Sequence, residues 1–195
     1  MSGFGAGVFA MKAVGLVLGV CLSLTMVATS AECKDKLIES GEYKGKDFRK
    51  GCIHDYNELM EGDDIKWVWV APDIKLADYK VQVASFEDFS DEIRKSQLEG
   101  IKKTFQEILE KSRGSKGTLN ADVCIYEVQK FSAGKAWIPF AGGHQMQAGV
   151  GAEMILKNTD GKVVAKFRHF AREGAQIEMA AEEVADDLKK YMVKH

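Results

Sequence analysis

The chain has 195 residues, 46% of them apolar and 29% charged, with a formal net charge of −2. That length supports one domain with a real core. The near-neutral balance lacks the basic excess a nucleic-acid partner calls for, and two prolines without a low-complexity tract give no sign of a second domain.

Met11-Lys12 forms a short basic start, Ala13 to Val27 is an uncharged apolar run, and Ala28-Thr29-Ser30-Ala31 supplies small residues before Glu32. This layout predicts a secretory signal peptide over residues 1–31, cleaved near Glu32. An uncleaved anchor is the weaker alternative, because the run is short for a span of ~20 residues. Residues 1–10 carry no positive side chain and read as an extension upstream of a start at Met11. Cys21 follows Val20 and Cys33 follows Glu32, so neither has the small preceding residue that lipid attachment needs. The expected location is periplasmic or secreted, with no membrane span after cleavage.

Residues 32–64 form a polar N-terminal arm with a short helix expected at Lys34 to Ser40, and residues 65–195 form the single domain. Cys33 and Cys52 both sit in the arm, and an exported compartment permits their pairing. Such a bridge would contribute about 3 kcal/mol if unstrained. Cys124 lies in an apolar run and reads as a buried free thiol.

Ile65 to Val70 is β-branched and aromatic, and Tyr79, Val81 and Val83 alternate with polar residues, so both read as strands. From Asp88 to Ser112 the period becomes helical, with Ile93, Ile101, Phe105, Ile108 and Leu109 on one stripe and Gly114 as the stop. Leu119 to Val128 returns to strand character. Gln145 to Leu156 and Lys162 to Ala171 read as a hairpin around Asn158-Thr159-Asp160-Gly161. Ile177, Ala181, Val184, Leu188 and Tyr191 then mark a final amphipathic helix. A further short strand is conceivable near Trp137. The order predicts an α+β two-layer sandwich, a largely antiparallel sheet of four to five strands with two amphipathic helices on one face.

No segment carries a strong catalytic or metal motif, and no cofactor is expected. His54-Asp55 resembles a base and its orienting group, but neighbours in sequence rarely meet productively and no nucleophile is placed by a motif. Glu61, Asp63, Asp64, Asp73 and Asp78 lack the glycine and terminal glutamate of a calcium loop and read as a solvated turn. Gly114 to Thr118 follows a helix, the wrong context for a phosphate loop. Gly149 and Gly151 share a face and suit close packing or a bulge. His169 shares parity with Ala165 and Phe167, as a hydrogen-bonded, partly buried histidine would.

The most distinctive segment is Trp137 to His144, three large apolar side chains and a proline beside Gly142-Gly143. Trp137, Pro139, Phe140 and His144 make it a candidate partner-binding loop. A core-crossing connection weighs more, because aromatics carry so much burial energy.

Gly51, Asp55, Tyr56 and Leu59 form a Gly-x-x-x-Asp-Tyr-x-x-Leu opening, followed by Tyr79-Lys80-Val81 and the Thr159 to Ala165 hairpin. This pattern resembles a family of uncharacterised bacterial cell-envelope proteins, periplasmic and often lipoproteins. Cys52, Asn57 and the absent lipid-attachment site depart from it. The resemblance implies envelope residence and supplies no catalytic residues. The favoured expectation is an exported soluble periplasmic protein, a non-catalytic binding or envelope-assembly module whose partner is an envelope protein or small ligand. The alternative is a periplasmic hydrolase with a histidine-containing pocket, built on His54 or His144.

Overall fold

Alternation decides the two faces of the sheet. Leu119, Ala121, Val123 and Ile125 are buried in the larger core together with Val150, Ala152, Met154 and Leu156. Period-two side chains behave this way when helices cover one face. The computed structural model describes residues 34–131 and 147–195.

Among the described residues the strands are β1 (Met60–Glu61), β2 (Trp67–Val70), β3 (Lys80–Asp88), β4 (Thr118–Gln129), β5 (Gly149–Lys157) and β6 (Val163–Arg172). The helices are α1 (Gly41–Lys44), α2 (Lys95–Leu109) and α3 (Ile177–Lys194). One sheet runs in the order β1-β2-β6-β5-β4-β3. All neighbours are antiparallel except β3 and β4, which are parallel and need the α2 crossover between them.

The α+β class and the largely antiparallel sheet are as expected. Ile101, Phe105, Ile108 and Leu109 of α2 are buried, as are Ile177, Ala181, Val184, Leu188 and Tyr191 of α3. The two helices pack side by side, α2 on β3 and α3 on β5 and β6. Gln97 Nε2 of α2 donates to Glu178 Oε1 of α3 at 3.1 Å.

Three details differ. The sheet has six strands instead of four to five, because the two-residue β1 is too short to leave a period in sequence. The predicted arm helix is a 3-10 turn at Leu37–Glu39 followed by α1, whose first turn Ser40 caps by accepting from the Tyr43 N–H at 3.2 Å. Most consequentially, the sheet is covered on both faces, so two layers is an undercount. Leu37, Ile53, Tyr56 and Leu59 of the arm bury themselves against Trp67, forming a second core on the face away from α2 and α3. Their irregular spacing hides that amphipathic role inside a polar stretch.

Candidate functional site

Register places four residues in one row across the second face. Cys124 of β4 lies opposite Glu153 of β5, Glu153 opposite Arg168 of β6, and Arg168 opposite Trp67 of β2. The arm crosses this row. Cys52 is disulfide-bonded to Cys124, the Ile53 N–H donates to Glu153 Oε2 at 2.8 Å, and Tyr56 Oη donates to Glu153 Oε1 at 2.9 Å. Gly51 allows this approach, since a Cβ there would lie 2.5 Å from Glu153 Oε2 and 2.9 Å from Cys124 Sγ.

Glu153 and Arg168 are 0% and 2% exposed and form a short ion pair. The Arg168 guanidinium carbon sits 3.6 Å from the Tyr126 ring centroid and 4.4 Å from that of Phe48, a cation held between two aromatic faces. Its Nε also donates to Glu42 Oε1 at 3.5 Å, and Glu42 accepts from Trp67 Nε1 at 3.0 Å. Gly151 makes room for Tyr126, whose ring would lie 2.5 Å from a Cβ at that position. Burial pushes the Glu153 carboxyl above its ordinary range, against the Ile53 N–H, Arg168 and Tyr56, which pull it down. Desolvation opposes the Arg168 cation, but Tyr126, Glu153 and Tyr56 outweigh it and strengthen its hold on the proton. Desolvation likewise raises the Tyr126 and Tyr56 phenols, keeping both neutral.

This centre is spent on itself. Among the described residues no buried side-chain nitrogen or oxygen lacks a hydrogen-bond partner. Cys52, Cys124 and Glu153 offer ligand atoms within 4.8 Å of one another, but sulfur binds a metal as thiolate and the disulfide removes that form. The arrangement is a clasp that fastens the arm to the sheet.

The Cys33–Cys52 pairing is corrected, because Cys52 is bonded to Cys124 and can form no second bridge. Cys33 lies outside the described residues. Cys124 is buried as expected, yet it is no free thiol. The strand register explains the exchange, since it aims Cys124 at the face where Gly51 to Ile53 crosses. Trp137, Pro139, Phe140 and His144 also lie outside the described residues, as does the conceivable strand near Trp137.

His54 is exposed, and Asp55 Oδ1 accepts from the Asn57 N–H at 2.9 Å instead of orienting it. Three of the clustered carboxylates face lysines: Asp63 with Lys34 at 2.8 Å, Asp64 with Lys194 at 2.9 Å and Asp78 with Lys116 at 2.6 Å. His169 is partly buried between Asp187 of α3, 3.0 Å from Nε2, and the Lys66 N–H, 3.2 Å from Nδ1. Sequence reasoning missed Glu153 and Arg168. The available signal was a glutamate inside Val150-Gly151-Ala152-Glu153-Met154-Ile155, a run otherwise free of charge.

Two of the concavities among the described residues bear on binding. One of about 360 Å³ opens beside the clasp, along Glu42, Phe48, Tyr126 and Arg172. The other, about 610 Å³, lies where Leu76, Tyr79 and Val81 meet the α2 exit and the end of α3, with Met192 and Val193 on its wall.

No family model matches the sequence, and no curated protein matches it. Among solved structures, a single-substitution variant of the PelC dodecamer from Paraburkholderia phytofirmans is similar at 13% identity, with a TM-score of 0.41 over 64% of this chain and 96% of that one. A second PelC dodecamer from the same organism gives 11% identity and a TM-score of 0.39 over 62% and 92%. The Protein Y N-terminal domain of Thermus thermophilus gives 16% identity and a TM-score of 0.32 over 58% and 97%.

Proposed function

We propose that the protein is exported and acts as a non-catalytic binding or assembly module of the cell envelope. The Cys52–Cys124 disulfide carries the exported part of this reading, because such bonds persist in oxidising compartments and are rare in the cytosol. It joins residues 72 positions apart and clamps the arm over a buried ion pair, a structural use of the bond. The signal-peptide layout of residues 1–31 supports the same address.

Strand addition is blocked at the β1 edge and over the first half of the β3 edge. At the β1 edge, Leu37 N–H donates to Leu59 O at 2.9 Å and Glu61 N–H to Asp35 O at 2.8 Å, so the arm already occupies it. At the β3 edge, the Val81 N–H is taken by Ser112 Oγ at 2.8 Å and the Val83 N–H by Glu110 Oε1 at 3.4 Å. Binding at those positions falls to side-chain surfaces and clefts. A hydrolase built on His54 gains no support, since Cys52 is oxidised and Asp55 is engaged elsewhere.

Fractionation of cells expressing the native chain tests the address. The protein should appear in the envelope or secreted fraction with an N-terminus near Glu32. Cytosolic retention with residues 13–27 intact would contradict the proposal.

A further inference from the structure

The cleft of about 610 Å³ combines an apolar wall with an unbalanced rim. Leu76, Val81 and Met192 form its buried floor, while Tyr79, partly buried, and Val193, 61% exposed, supply most of its accessible apolar wall. Lys111, Arg113 and Lys189 also line it, and no acidic side chain does. None of these three cations has an ion pair or side-chain hydrogen bond among the described residues, whereas nearby Lys116 is held by Asp78. The volume falls in the range of small-molecule sites.

The wall also rules on the occupant. An extended peptide laid along β3 would need the Val81 and Val83 N–H groups, which Ser112 and Glu110 already take. An alkyl chain needs no hydrogen bond and gains from every apolar contact. Lysine and arginine rims suit it further, because their stems extend the apolar wall while their heads meet an anion in water.

We propose that this cleft binds a single-chain amphiphilic carboxylate, of the fatty-acid class. The chain lies against Leu76, Tyr79, Met192 and Val193, and the carboxylate meets Lys111, Arg113 and Lys189. This names a ligand class for the binding-module reading and rests on it. The ligand test is nonetheless independent of the compartment test, so either can fail alone.

Calorimetric titration of the purified protein with dodecanoate, below its micellar concentration, decides the matter. Saturable one-to-one binding is expected, with dodecyl maltoside binding more weakly despite the same chain. Replacing Lys111, Arg113 and Lys189 together by glutamine should weaken dodecanoate about tenfold, the sum of three modest exposed charge contacts. Ala77→Trp, which fills the cleft from its wall, should abolish binding; should it fail to fold, the rim variant decides. No saturable binding, or equal affinity of the rim variant and the native protein, would overturn the proposal. So would self-association that Ala77→Trp abolishes while dodecanoate fails to bind, since a second copy would then be the occupant.

Discussion

Glu153 holds three donors from three places, the arm backbone, Tyr56 and Arg168, with no exposure to water. Removing its charge leaves the Arg168 cation buried with Glu42 as its remaining partner, at 3.5 Å. Glu153→Ala should therefore cost about 3–5 kcal/mol, the range for breaking a buried pair from one side. Replacing both members with methionine should recover much of that loss, because apolar groups of similar size often substitute for a buried pair. Denaturant midpoints of the two variants would check this. Equal instability of single and double variants would mean that the pair itself matters little beside the shape of the site. Arg168 shares its parity with Lys166 and Arg172, charged positions of the same strand. Parity names the face of a strand and says nothing of what lies upon it. Arg168 is buried because Phe48 and Tyr56 arrive from a segment with no period to announce them.

At the scale of elements, His169 joins three of them: β6, which carries it, α3 through Asp187, and the entry to β2 through the Lys66 N–H. A backbone N–H can only donate, so Nδ1 accepts and Nε2 carries the proton toward Asp187. Burial, chiefly, holds the His169 pKa below its ordinary value of 6.5, although Asp187 pulls the other way. The unfolded chain then takes up a proton more readily than the folded one. The resulting stability is complete above 6.5 and is lost as pH falls below it. Melting temperatures between about pH 7 and 5 should fall more steeply for the native protein than for His169→Gln. Parallel curves would contradict this role.

The elements themselves were largely legible. Asn158 Oδ1 accepts from the Asp160 and Lys162 N–H groups, and Gly161 takes a φ of 80°, a left-handed turn position that glycine adopts at no steric cost. The start of α2 was less so. Ile93 shares the helical stripe, yet the helix begins at Lys95, because Asp88 Oδ1 accepts from Ser90 and Asp91 adopts a φ of 56°. That local turn keeps the chain out of helix for several residues while Ile93 still packs on the core.

Across the whole molecule, the row from Cys124 to Trp67 makes the arm part of the fold. The disulfide spans 72 positions, and loop-closure entropy alone assigns it about 4 kcal/mol. The sequence contained both cysteines, but their pairing follows from the register of β4 with β5 and from the crossing of Gly51 to Ile53, and neither leaves a local pattern. Proximity in sequence favoured Cys33 instead. The measurement that bears most directly on the clamp and on the proposed export is peptide mapping of the native protein, recovered from its own cell fraction without reductant. It should show Cys52 linked to Cys124, and reduction should lower the unfolding midpoint. Free, readily alkylated thiols at both positions in the native isolate would contradict the clamp and the oxidising address together.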